Sequence, residues 1–164
     1  MRVVFLLILW MISFDSHAKT AVTSFNKDRD IYSVIDRTIR PHFAEFMKYC
    51  ELSIYAERCA RNAKLILSIR YRNIVDPTDP DIVGLCTIYD NFREIRLKKN
   101  LYPPHSLEFK MLVWHELGHC LMDLRHIEGR LHIMNPSMME KSVMVERWDS
   151  LIEDLIYGKP ILSK

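Results

Sequence analysis

The segment His115-Glu116-Leu117-Gly118-His119, followed by His126 and by Ile133-Met134-Asn135-Pro136, gathers the residue types that do metal chemistry. Residues four apart on a helix lie one turn above each other on one face, so His115 and His119 offer two imidazole nitrogens to a single zinc ion. Glu116 lies one step round the same helix, beside the metal but not needed as a ligand, where a carboxylate takes a proton from a metal-activated water. That combination is a hydrolytic site. Chance gives roughly 0.02 such pentapeptides in a chain of this length and composition, so the pattern carries information.

A catalytic zinc takes three protein ligands and keeps a fourth position open. His126 is the leading third ligand. On a straight helix it would lie about 10 Å beyond His119 at the helical rise per residue, so the helix must end and fold back within Met122–Arg125. Asp123 enters the left-handed conformation more cheaply than most residues and is the expected turning point. Glu140, Glu146 and Glu153 are the alternative third ligands, as in the gluzincin arrangement, where a glutamate on a later helix binds zinc. The helix carrying the histidine pair is marked by Leu107, Met111, Leu112, Trp114, Leu117, Leu121 and Met122 at helical spacing after Ser106, an N-cap residue type.

From His115 to Pro136 the chain resembles the metzincin clan of zinc endopeptidases, whose pattern His-Glu-x-x-His-x-x-Gly-x-x-His is followed by a Met-turn beneath the metal. The resemblance makes His115, His119 and His126 the ligands, Glu116 the general base and Met134 the Met-turn methionine. The eight-residue step from His126 to Met134, with Pro136 two residues on, looks most like the matrixin branch. The likeness is specific over about residues 84–136 and weak elsewhere. Two departures stand in it. Met122 occupies the place of the clan's turn glycine and Arg125 that of its third histidine, so His126 arrives one residue late. Pro136 stands where the astacin and serralysin branches place a tyrosine near the metal, so no tyrosine ligand is expected.

The resemblance implies an α+β domain, with a mixed sheet packed on an N-terminal helix and the zinc helix, then a Met-turn and a C-terminal helix. It implies zinc as cofactor and a peptide or protein as substrate. In that clan a strand in the place of Gly84–Tyr89 forms the upper edge of the sheet and pairs with an extended substrate; the other reading is an ordinary strand. A zinc-binding module without catalytic activity, recognising peptides or another protein, is the rival from a different functional class.

At the N-terminus, Met1-Arg2, an apolar run from Val3 to Ile12 and Ser16-His17-Ala18 before Lys19 describe a secretory signal peptide cleaved after Ala18. Residues 1–18 are then a leader and 19–164 a single metallopeptidase domain, secreted or periplasmic. The apolar run is short of the roughly 20 residues a membrane span needs, and no stable membrane anchor is expected. The net charge is +2 and the basic residues are scattered. Arg93, Arg96, Lys98 and Lys99, the densest group, read as a solvated strand edge, so no nucleic-acid partner is expected.

Helical spacing of Ile31, Val34, Ile35, Thr38, Ile39, Phe43, Phe46 and Met47 predicts one amphipathic helix over about 29–49, bent at Pro41. Leu65–Arg72 alternates as a half-buried strand, Ile82–Asp90 and Glu94–Lys98 as two more joined through Asn91-Phe92, and Ser142–Tyr157 as a last helix with Val145, Trp148, Leu151, Ile152, Leu155 and Ile156 inward. Between them Asp76, Asp79 and Asp81 form a turn-rich loop whose prolines explain it as a rigid turn, with structural calcium the alternative. Four cysteines allow three pairings. Cys50–Cys59, flanking an irregular segment, is favoured, while Cys120 reads as a buried core thiol or a partner for Cys86.

Overall fold

A computed structural model describes residues 30–74 and 81–158. The leader, its cleavage point, and Asp76 and Asp79 of the acidic loop lie outside the described residues. Among the described residues the architecture is mixed α+β, with four α-helices and a three-stranded mixed sheet. Among the described residues no helix is long and apolar enough to cross a membrane.

Helix α1 spans Arg40–Leu52, not the whole of 29–49. Ahead of it lie a short 3-10 turn, Ile31–Val34, capped by the Asp30 carboxylate on the Tyr32 N–H at 3.0 Å, and an extended Ile35 bridged in parallel to Ile69. The physical reason is Pro41. Its missing N–H and fixed φ suit the first turn of a helix, so α1 begins there instead of bending there. The apolar period ran through the break because Ile31, Ile35 and Ile39 all enter the same core. A second correction concerns the segment between Cys50 and Cys59, which holds the start of a helix, α2 (Ala56–Ala63). Its few apolar residues hid it, but Glu57 in the first turn and Arg61 in the last complement the helix dipole.

Strand β1 (Ile66–Tyr71) runs parallel to β3 (Arg93–Leu97), and β2 (Gly84–Ile88) pairs antiparallel with β3 through a hairpin closed by the Tyr89 N–H on the Phe92 carbonyl at 2.9 Å. The order β1-β3-β2 makes β2 an edge strand and β3 the central one. Arg93, expected on a solvated edge, is therefore at the centre of the sheet and only 8% exposed.

Helix α3 (Leu107–Met122) is the hub, packed against β2 and β3 and against α1 and α2. The Ser106 Oγ caps it by accepting the Phe109 N–H at 3.1 Å, and Asp123 ends it in the left-handed conformation, φ 55° and ψ 35°. Burial almost all round its axis fits a helix at the centre of a core. Helix α4 (Lys141–Tyr157) covers it and stops at Gly158, also left-handed. Its inward stripe includes Met144, Leu151, Ile152, Leu155 and Ile156, whereas Val145 faces solvent, a one-residue shift at the start of the stripe. Cys50–Cys59 ties α1 to α2, and Cys86–Cys120 ties β2 to α3, so Cys120 is buried as foreseen but is a disulfide sulfur, not a thiol.

Candidate metal centre

Helix α3 brings His115 and His119 to one face, and the turn at Asp123 returns the chain so that His126 meets them. His115 Nε2 lies 3.1 Å from His119 Nε2 and 3.1 Å from His126 Nε2. The opposite ring nitrogens are engaged: His115 Nδ1 sits 2.7 Å from the Ile133 carbonyl and His119 Nδ1 2.6 Å from the Leu124 carbonyl. A carbonyl only accepts, so both rings donate through Nδ1, and each neutral ring then turns a bare lone pair from Nε2 toward the same point. Lone pairs facing each other at this distance repel unless a cation lies between them. Zinc, with Zn–N bonds of about 2.0–2.1 Å, separates two tetrahedral ligands by about 3.3 Å, close to what is seen.

Burial pushes His115 down to about 4, with the neighbouring His119, His126 and His132 acting in the same direction and the Ile133 carbonyl against it. Burial likewise lowers His119, opposed by the Leu124 carbonyl. Both rings are neutral at pH 7, the form that binds a metal. Among the described residues this is the one group of histidine, cysteine or acidic side chains arranged to hold an ion. Glu140, Glu146 and Glu153 are exposed and outside it.

Glu116 is 4% exposed. Burial raises its carboxyl to about 8, and a hydrogen bond from the Cys86 N–H pulls the other way. The strand reaches this carboxyl because residue 84 is glycine: a Cβ there would stand 2.4 Å from Glu116 Oε1. A glycine inside a strand marks such close approaches, a sign the sequence carried at Gly84 without naming its partner.

Beneath the histidines Met134 is fully buried, and Gly118 makes room for it, since a Cβ on Gly118 would meet Met134 Sδ at 2.4 Å. His132, which sequence reasoning passed over, is 5% exposed and accepts the Met134 N–H on Nδ1 at 2.9 Å. Its pKa is lowered chiefly by burial, against the pull of Asp154 on α4. The Ile127 N–H donates to the Met134 carbonyl at 2.8 Å, stitching this turn to the segment that carries His126.

The histidines and Glu116 open onto a cleft of about 600 Å³, walled on one side by Val83, Gly84, Leu85 and Ile88 and on the other by Asn135, Pro136 and Met138. Compared with protein families, with curated proteins and with solved structures, the chain matches none.

Proposed function

We propose that the chain is an exported zinc endopeptidase of the metzincin type. One observation carries the reading: three imidazole Nε2 atoms converge in a cleft that also holds the buried carboxyl of Glu116 and runs beside a sheet edge. Zinc bound there supplies Lewis acidity, polarising a carbonyl and making a water acidic near neutral pH. Glu116 takes the proton of the attacking water on its carboxylate and passes it to the leaving amine nitrogen. His115 and His119 would hold the ion as neutral donors, their rings oriented by the Ile133 and Leu124 carbonyls. Substrate binding follows from the edge strand. Val83 and Tyr89 direct main-chain groups into the hairpin, so by alternation those of Gly84, Cys86 and Ile88 face away from β3. The Cys86 N–H is given to Glu116, which leaves the groups around it to pair with an extended peptide.

The order of a histidine pair one turn apart, a left-handed helix end, a third histidine and a buried methionine supports the metzincin assignment over the gluzincin one, since among the described residues no later glutamate joins the histidine cluster. The apolar leader and the two disulfides support export, since disulfides persist outside the reducing cytoplasm.

The test is hydrolysis of a quenched-fluorescence peptide library by the mature chain. We expect cleavage that a zinc chelator stops and added zinc restores. Glu116→Gln should keep stoichiometric zinc yet lose about 10²–10⁴-fold or more in rate. A wild-type protein that holds zinc but cleaves nothing would be the noncatalytic binding module instead.

A further inference from the structure

Helix α3 ends where the metal ligands demand a reversal, and it does so without glycine. The last four carbonyls of a helix have no partner inside it. Here three of them are taken by side chains from two other elements. The Cys120 carbonyl accepts Arg93 Nη1 at 2.6 Å, the Leu121 carbonyl accepts Asn62 Nδ2 at 3.0 Å, and the Met122 carbonyl accepts Arg58 Nη1 at 2.9 Å. All three donors also converge on the next side chain. The Asp123 carboxylate receives Arg93 Nη1 at 2.5 Å and Asn62 Nδ2 at 3.2 Å, with Arg58 Nε at 3.8 Å.

Asp123 carries a positive φ of 55°, a conformation that residues with a Cβ seldom adopt, aspartate more readily than most. It persists where the surroundings over-determine it. The turn is in direct connection with the histidines: the Leu124 N–H bonds back to the Gly118 carbonyl at 3.1 Å, the Leu124 carbonyl orients His119, and His126 follows two residues on.

Resting on the metal-centre reading above, the structure assigns Asp123, with Arg93, Asn62 and Arg58, as a positioning clamp for the histidine triad. The clamp fixes the reversal that sets both the orientation of His119 and the reach of His126. Arg93 arrives from the central strand and the other two from α2, so sheet and helix layer hold the ligands to a common frame. The carboxylate acts here through its hydrogen bonds, apart from any conformational freedom of the backbone.

Asp123→Gly separates the two contributions. Glycine takes the left-handed conformation without strain and keeps the turn, so this variant folds while removing only the carboxylate. We expect its zinc affinity, measured by competition with a chromophoric chelator, to fall about 10-fold or more, the size seen when groups supporting a ligand are lost. The visible spectrum of the cobalt-substituted protein should change in parallel, and Asp123→Asn, which keeps an acceptor, should recover most of the affinity. A glycine variant with wild-type affinity and an unchanged cobalt spectrum overturns the clamp, even if its metal-free form melts lower, since that is all a purely structural role would produce. An asparagine variant no better than glycine overturns it too. Wild-type protein that binds no stoichiometric zinc or cobalt overturns the metal centre, and the clamp with it.

Discussion

Gly84 and Glu116 show at the level of single residues how a missing atom shapes a site. The Glu116 carboxyl, the general base of the proposed mechanism, lies where a Cβ at position 84 would stand, so Gly84→Ala must displace either the strand or the carboxyl. Because misplacing a reacting group by about 1 Å costs on the order of 10²-fold, we expect Gly84→Ala to lower kcat by about that factor while leaving zinc content unchanged. Rates measured beside metal analysis would check this, and loss of zinc instead would mean that β2 supports the ligands and not the base. The pairing of His115 with His119, and the place of Glu116 beside them, was legible in the sequence because the three are neighbours along one helix and their spacing alone brings them together. Gly84 and His132 were not, since their partners, Glu116 on one side and Met134 with α4 on the other, are chosen by packing. His126 falls between these cases. Its residue type was informative, but its arrival depends on a turn that only the fold defines.

Among the elements, strands and the two long helices followed from periodicity, and the failures have a common origin. Ile31, Ile35 and Ile39 keep a helical period across a 3-10 turn and a bridge residue, because a core selects apolar side chains and not a backbone conformation. Pro41 was the signal that outweighed it. The disulfides act at this same level by joining elements. Cys86–Cys120 closes a separation of 34 residues and Cys50–Cys59 one of 9. The chain-entropy relation gives about 4 kcal/mol for the longer loop and about 2.5 kcal/mol for the shorter. Denaturant unfolding of the two paired Cys→Ala variants should therefore show the greater loss for Cys86/Cys120. That variant should also lose activity at conditions where it remains folded, because Cys86 supplies the N–H that holds Glu116. Equal activity in both folded variants would show that β2 keeps its place without the bridge.

For the molecule as a whole, the site and the core are one structure: α3 carries the histidine pair on one side and Trp114, Leu117, Leu121 and Met122, buried among the other elements, on the rest. Groups that could hold a metal therefore weigh on the stability of the metal-free protein. Glu116 has its folded pKa raised from 4.5 to about 8, so the folded state binds the extra proton, and the stability this gives is complete below pH 4.5 and is lost as pH rises through 8. His115 has the opposite sign: lowered from 6.5 to about 4, it contributes stability present above pH 6.5 and lost as pH falls through 4. His119 and His132, both lowered, reinforce the histidine side. The two effects oppose each other between pH 4.5 and 6.5, while between 6.5 and 8 the carboxyl acts alone. Metal-free protein should thus lose stability from pH 6.5 to 8, and Glu116→Gln, which cannot ionise, should remove that decline and steepen the fall between pH 6.5 and 4.5, where the carboxyl no longer offsets the histidines. Zinc should flatten the same limb in the wild type, since a nearby dication favours the ionised carboxylate and binding only the folded state adds stability of its own. Urea denaturation of both proteins across this range, with and without zinc, decides it. A metal-free wild type whose stability is level or rising between pH 6.5 and 8, in step with Glu116→Gln, would show that the carboxyl is already ionised in the fold and that its burial does not hold the proton.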